Sequence, residues 1–124
     1  MDISEKLGPI RKGLLEFLLL KIIAADDVYV ADMLKRLSST DFATQEGTLY
    51  PLLSKMRRED LVDCEWRESE AGPPRKYYSL TAKGKAQLAA LDDYWKHINK
   101  TMVSWGNSHE QSHHHQPERQ RLPA

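Results

Sequence analysis

From Leu14 to Ile23 the chain reads LLEFLLLKII, and wound as an α-helix this segment is apolar on nearly every side. A helix with no polar face has to be covered all round. The run, which ends near Ala25, is too short to span a bilayer and contains Glu16 and Lys21, so the cover is protein. A chain of 124 residues with 40% hydrophobic content holds one modest core. One core covers one side of such a helix, and a second surface, supplied by a partner, is implied for the other. Pro9 is read as lying in the first turn of this helix, where its missing N–H costs little.

Asp26 and Asp27 break the apolar run. Val30, Met33, Leu34 and Leu37 then return at helical spacing and predict a short second helix. The loop SSTDFA follows, with Phe42 as a core anchor, and Thr44 is placed to N-cap a third helix. In that third helix Leu49, Leu52, Leu53 and Met56 form one apolar face, yet Pro51 sits inside the pattern, where proline ordinarily costs about 3 kcal/mol. Its lost hydrogen bond would have gone to the carbonyl of Gly47. Both residues lie on the outer face with Ser54 and Arg58, flanked by Thr48 and Lys55 on one edge and by Tyr50 and Arg57 on the other. An outward carbonyl that water or a ligand can satisfy makes the loss tolerable.

Past Asp60 the period shortens. Leu61 to Arg67 alternates as a strand, ESEAGPP reads as a turn on Gly72, Pro73 and Pro74, and Arg75 to Leu80 is a second strand. Thr81 caps a long fourth helix in which Leu88, Leu91, Trp95, Ile98, Met102 and Trp105 recur as a heptad seam. From about Gly106 the chain is polar and is read as a disordered tail. The expected fold is mainly α with a β-hairpin: a winged helix-turn-helix domain over residues 1–81, a long C-terminal dimerisation helix over 82–105, and the tail over 106–124.

In a winged helix-turn-helix the third helix enters the major groove and the hairpin lies along the backbone. The outer face of this third helix is smooth at its start and cationic at its end. Thr44, Gln45 and Thr48 would then approach base edges, and Tyr50, Ser54, Lys55 and Arg58 would reach phosphates. Arg75 and Lys76, with Arg67, add cations on the hairpin, while Glu65, Glu68 and Glu70 are available to pair with them. Formal net charge is zero, with 18 basic and 18 acidic residues, so a general polyanion binder is disfavoured. The lone Cys64 alternates with Val62 and Trp66 and is read as a buried structural thiol. His109, His113, His114 and His115 have no fixed geometry for a metal. No nucleophile–base pair, phosphate-binding glycine loop or paired-carboxylate site is present, so neither a cofactor nor catalysis is expected. The polar start has no signal-peptide pattern, and the chain is expected to be cytoplasmic, with no membrane partner.

GTLYPLLSKMRREDLV (Gly47 to Val62) followed by RKYYSLTAKG (Arg75 to Gly84) resembles the PadR family of bacterial transcriptional regulators. The resemblance covers about Leu14 to Trp105, and one long C-terminal helix is similar to the smaller PadR subfamily. It implies a homodimer, joined by the fourth helix, that binds double-stranded DNA and mostly represses nearby genes until a small, often aromatic, effector or a stress releases it. DNA contacts carried over are Tyr50, the polar face of the third helix, and Arg75 and Lys76. Family members often have glycine at the position of Asp60, as a left-handed cap, so the third helix is expected to end differently here. They also often have Tyr-Gly where this chain has Tyr29-Val30.

Two readings follow. One is a homodimeric regulator on an inverted-repeat operator. The other is a winged-helix protein-interaction module that does not bind DNA, for which the zero net charge speaks. Trp95, midway along the seam, would face its own copy across a two-fold axis and form a slot for a planar aromatic effector. Phe17 would line that slot, and Asp92 or His97 would set its charge preference. The structural alternative is that Trp95 and Trp105 simply pack as dimer core.

Overall fold

The computed structural model describes residues 3–115, and the side chains of residues 3 and 5–106. Helix α1 (Ser4–Ala25) leads through β1 (Val28–Tyr29) into α2 (Val30–Leu37), then α3 (Glu46–Arg58), the hairpin β2 (Val62–Ser69) and β3 (Gly72–Leu80), and α4 (Ala82–His115). The strands form an antiparallel sheet of order β1-β3-β2. Contacts within the chain divide it into two units, Met1–Ala89 and Ala90–Ala124.

The first unit is built around the apolar faces anticipated from the sequence. Leu15, Leu19, Leu20 and Ile23 of α1 are buried with Val30, Met33 and Leu37 of α2 and with Leu49, Leu52, Leu53 and Met56 of α3. Val28, Leu61, Val62 and Tyr78 join them from the sheet side. Burial holds the Tyr78 phenol above its ordinary pKa, because the charged form would lose its water. The other side of α1 is only half-covered at Leu14, Phe17, Leu18 and Ile22. Toward the N-terminus Ile3, Leu7 and Ile10 are exposed and continue the stripe.

Several local expectations need correction. Helix α1 starts at Ser4, so Pro9 lies inside it rather than in its first turn. The residue whose carbonyl it leaves without a partner, Glu5, is exposed, as is Gly47, four residues before Pro51. Both prolines are thus tolerated where water reaches the freed carbonyl. Thr44 is not the cap of α3. Gln45 is, in extended backbone and without a side-chain hydrogen bond. Phe42 is half-buried, its ring under the Arg11 guanidinium at 5.5 Å. Strand β1 had no sequence signal, since two residues show no period. It pairs Val28 with Tyr78 and Tyr29 with Tyr77. The hairpin strands extend further than expected, to Ser69 and Gly72. Pro73 and Pro74 fall inside β3, beside a register shift between Arg67 and Ser69 that leaves them outside the ladder.

Asp60 takes the left-handed conformation, with φ of 63°. Leu61 N–H donates to the Met56 carbonyl and Asp60 N–H to that of Arg57, each at 2.9 Å. This is the Schellman pattern that closes a helix end, so α3 ends as it would with glycine, and the expected departure does not occur. Thr81 caps α4 as anticipated: Gly84 N–H donates to its hydroxyl at 2.9 Å, while that hydroxyl donates to the Asp60 carbonyl at 2.6 Å.

In the second unit α4 continues to His115, beyond the expected end at Trp105. Gly106 alone does not stop a helix, and the next proline is Pro117. The remainder of the expected tail, 116–124, lies outside the described residues, as do the side chains of His109 and of His113 to His115. On α4 the seam residues Leu91 and Ile98 are half-buried, while Trp95, Met102 and Trp105 are 45%, 68% and 51% exposed.

Candidate nucleic-acid interface

Helix α3 buries Leu49, Leu52, Leu53 and Met56, which turns Gly47, Pro51, Ser54 and Arg58 outward as an exposed ridge. The two edges of that ridge meet different parts of the fold. On one edge Thr44, Thr48 and Lys55 share a cleft with Gly8, Arg11, Lys12 and Leu15 of α1. On the other edge Glu46 and Tyr50 share a groove with Tyr29 to Ala31 and with Trp66, Pro74, Arg75 and Lys76 of the hairpin. The recognition-type helix therefore has a cation-bearing groove along each flank. Of the candidate DNA contacts, Thr44, Thr48 and Lys55 fall together on the α1 side, and Tyr50, Arg75 and Lys76 on the hairpin side. Ser54 and Arg58 stand on the ridge between, and Gln45 stands at its tip.

The charges on these surfaces differ in how far they are already satisfied. Lys55 donates to Glu16 Oε1 at 2.7 Å, and that hydrogen bond and charge hold its ammonium above the ordinary lysine pKa. Arg67 donates to Asp27 at 2.6 Å and to Glu65 at 2.8 Å, and its guanidinium lies 4.6 Å from the centre of the Tyr77 ring. The bonds to Asp27 and then Glu65 raise its pKa too. Arg67 is thus an internal brace between β2 and the β1 approach, not a free wing cation. Among the described residues no carboxylate pairs with Arg58, Arg75 or Lys76. Arg75 is steadied over the Tyr29 ring at 4.4 Å, and Lys76 lies near both Trp66 and Tyr78. Aromatic faces hold these cations without neutralising them.

Sequence reasoning missed two features of the grooves flanking α3. Arg11 and Lys12 belong to a helix read for its apolar run. The Arg-Lys pair just ahead of that run was the available signal. Alternation puts Trp66 with Val62 and Cys64 on one strand face. The face is the right one, but burial fades along it: Val62 is buried, Cys64 half-buried, and Trp66 68% exposed. The strand outruns the core, and alternation cannot show where a core stops.

The effector candidates divide between the units. In the first, Phe17 is half-buried on α1, with the Lys21 ammonium 5.2 Å from its ring centre. In the second, Asp92 is half-buried and Trp95 part-exposed on α4, while His97 lines a shallow surface with Tyr94, Ile98 and Thr101.

A family model described as the transcriptional regulator PadR-like family matches residues 19–90. The solved structure of a PadR-like transcription factor from Bacteroides fragilis is 39% identical, with a TM-score of 0.70 over 81% of this chain and 97% of that one. A PadR-like transcriptional regulator from Bacillus cereus is 35% identical, with a TM-score of 0.73 over 78% of this chain and 95% of that one. An uncharacterized protein of Lysinibacillus sphaericus is 27% identical over 72% of this chain and 84% of its own length.

Proposed function

Since the chain belongs to the PadR-like family of transcriptional regulators and is a DNA-binding regulator, we propose that it is a repressor. In this reading it acts as a homodimer on an inverted-repeat operator, in the cytoplasm, with α3 in the major groove. Among the described residues, no helix is long and apolar enough to cross a membrane. The observation that carries the reading is the placement of cations. Arg58 at the far end of the α3 ridge and Arg75 and Lys76 on the hairpin have no carboxylate partner among the described residues, and the hairpin pair shares a groove with Glu46 and Tyr50 near the helix start that bears Gln45 and Thr48. Phosphate contacts set register, while base-edge contacts set sequence preference. Tyr50, Ser54, Lys55, Arg58, Arg75 and Lys76 take the first role, and Thr44, Gln45 and Thr48 the second. For Lys55 this requires sharing its ammonium between Glu16 and a phosphate.

The support for a dimer is the pattern of apolar surface. The seam of α4 and the stripe of α1 running from Ile3 through Leu7 and Ile10 both leave apolar side chains exposed in the single chain. A two-fold dimer reads half-sites about 34–36 Å apart, hence an inverted repeat. Trp95 on the seam, with Asp92 beside it, is the proposed contact for a small aromatic effector, and Phe17 on α1 is a separate candidate.

Fluorescence anisotropy on a labelled duplex from upstream of the protein's own gene tests the DNA contacts. Wild-type affinity is expected to fall steeply as salt rises, because each phosphate contact releases counterions. Arg75→Ala is expected to weaken specific and nonspecific binding alike and to lower the salt slope by about one. An unchanged slope in Arg75→Ala would remove the hairpin from the interface.

A further inference from the structure

The geometry points to Trp66 as a DNA-backbone contact that adds affinity without charge, its indole packed on a deoxyribose beside the phosphate held by Lys76; this rests on the interface proposed above. Single exposed apolar residues are ordinary, but Trp66 does not stand alone. It is 68% exposed in a groove that also holds Tyr50, 47% exposed, and Pro74. It is the direct cross-strand partner of Lys76, whose ammonium lies 5.9 Å from the centre of the indole system. Such opposed pairs keep their side chains together on one sheet face. That face looks toward α3, as Val62 and Tyr78 on it are buried in the core.

The occupant follows from what the groove presents: aromatic and proline surface interleaved with the cations Arg75 and Lys76, with Glu46 the one acid among the described residues of its lining. Glu46 lies on the α3 wall, so an anion is favoured on the hairpin wall, against Lys76 and Trp66. A duplex backbone alternates anionic phosphates with apolar sugar faces and so matches cation and indole in turn. A flat indole buries apolar area while its N–H keeps a polar partner at the rim.

The test separates charge from packing in the full-length protein, by anisotropy on the same upstream duplex across a salt series. Trp66→Ala is expected to weaken binding by about tenfold at every salt concentration, the scale of losing a buried large apolar side chain, with the salt slope unchanged. Trp66→Phe should recover most of that loss. Arg75→Ala should do the reverse, changing the slope. Thermal melting and sedimentation are expected to match wild type for Trp66→Ala, since so exposed a side chain supports little of the fold. If Trp66→Ala binds like wild type while Arg75→Ala behaves as expected, the Trp66 assignment fails and the interface stands. A smaller sedimenting species in Trp66→Ala would place the indole between copies of the chain and overturn the assignment. If wild type itself shows no salt-dependent binding to any duplex, the interface and the Trp66 contact fail together.

Discussion

Asp60 stands in left-handed backbone that an L-residue enters at a cost of about 1–2 kcal/mol, and that glycine enters freely. Its φ of 63° is imposed from both sides, by the two hydrogen bonds closing α3 and by the Thr81 hydroxyl on its carbonyl. Its own carboxylate makes no hydrogen bond or ion pair among the described residues. Asp60→Gly is therefore expected to stabilise the protein by up to about 1 kcal/mol, a rise of a few degrees in melting temperature, with DNA affinity unchanged. Calorimetry showing a lower melting temperature would mean that the aspartate does something the backbone geometry does not reveal. At this scale the sequence was a partial guide. That Arg75 and Lys76 stand on the hairpin was legible from two-residue alternation. That Arg67 is spent on Asp27 was not, because Asp27 lies forty positions away and reaches Arg67 only through the pairing of β1 with β3.

Helices and hairpin were legible because each has a period: one apolar face for α2 and α3, alternation for the strands, a heptad seam for α4. Boundaries were less so, since a seam that ends at Trp105 ends the packing and not the helix. Where one element meets the next, glycine shows what fixes the joint. A Cβ at Gly84 would be driven into the carbonyl oxygen of Leu61, with the carbonyl carbon at 3.0 Å. Backbone cannot swing aside as a side chain does, so the first turn of α4 would have to lift off the start of β2. Gly84→Ala is expected to destabilise the protein by about 2–3 kcal/mol. Gly47→Ala, inside α3 with nothing within 4 Å of the added methyl, is expected to stabilise it by up to about 1 kcal/mol. Urea titrations of the two variants should move their midpoints in opposite directions. The glycine of the LTAKG stretch is thus a packing requirement, while that of GTLYP answers to the outer surface.

At the scale of the whole molecule, the question is what covers the apolar surface that a single chain leaves open. Trp95, Met102 and Trp105 of α4, Leu7 and Ile10 of α1 and Ile3 at its N-cap are all between 45% and 68% exposed. Each stripe follows the alternating three- and four-residue spacing by which helices pack along helices. On the proposed reading a second copy covers this surface, and a two-fold protein reads half-sites about one DNA turn apart. Replacing Leu91 and Ile98 together by Asp puts two carboxylates into that seam, and the variant is expected to sediment as a monomer. Its operator affinity should fall by far more than that of any single phosphate-contact variant, since one half-site is lost at once. Trp95→Ala is the contrasting probe. A tryptophan that reads an effector can be removed while Leu91 and Ile98 still pack, so this variant should remain a DNA-binding dimer whose emission no longer responds to planar aromatic compounds. A Trp95→Ala protein that falls apart into monomers would make the indole a part of the dimer core. A Leu91→Asp, Ile98→Asp protein that stays dimeric would move the two-fold axis away from α4 altogether.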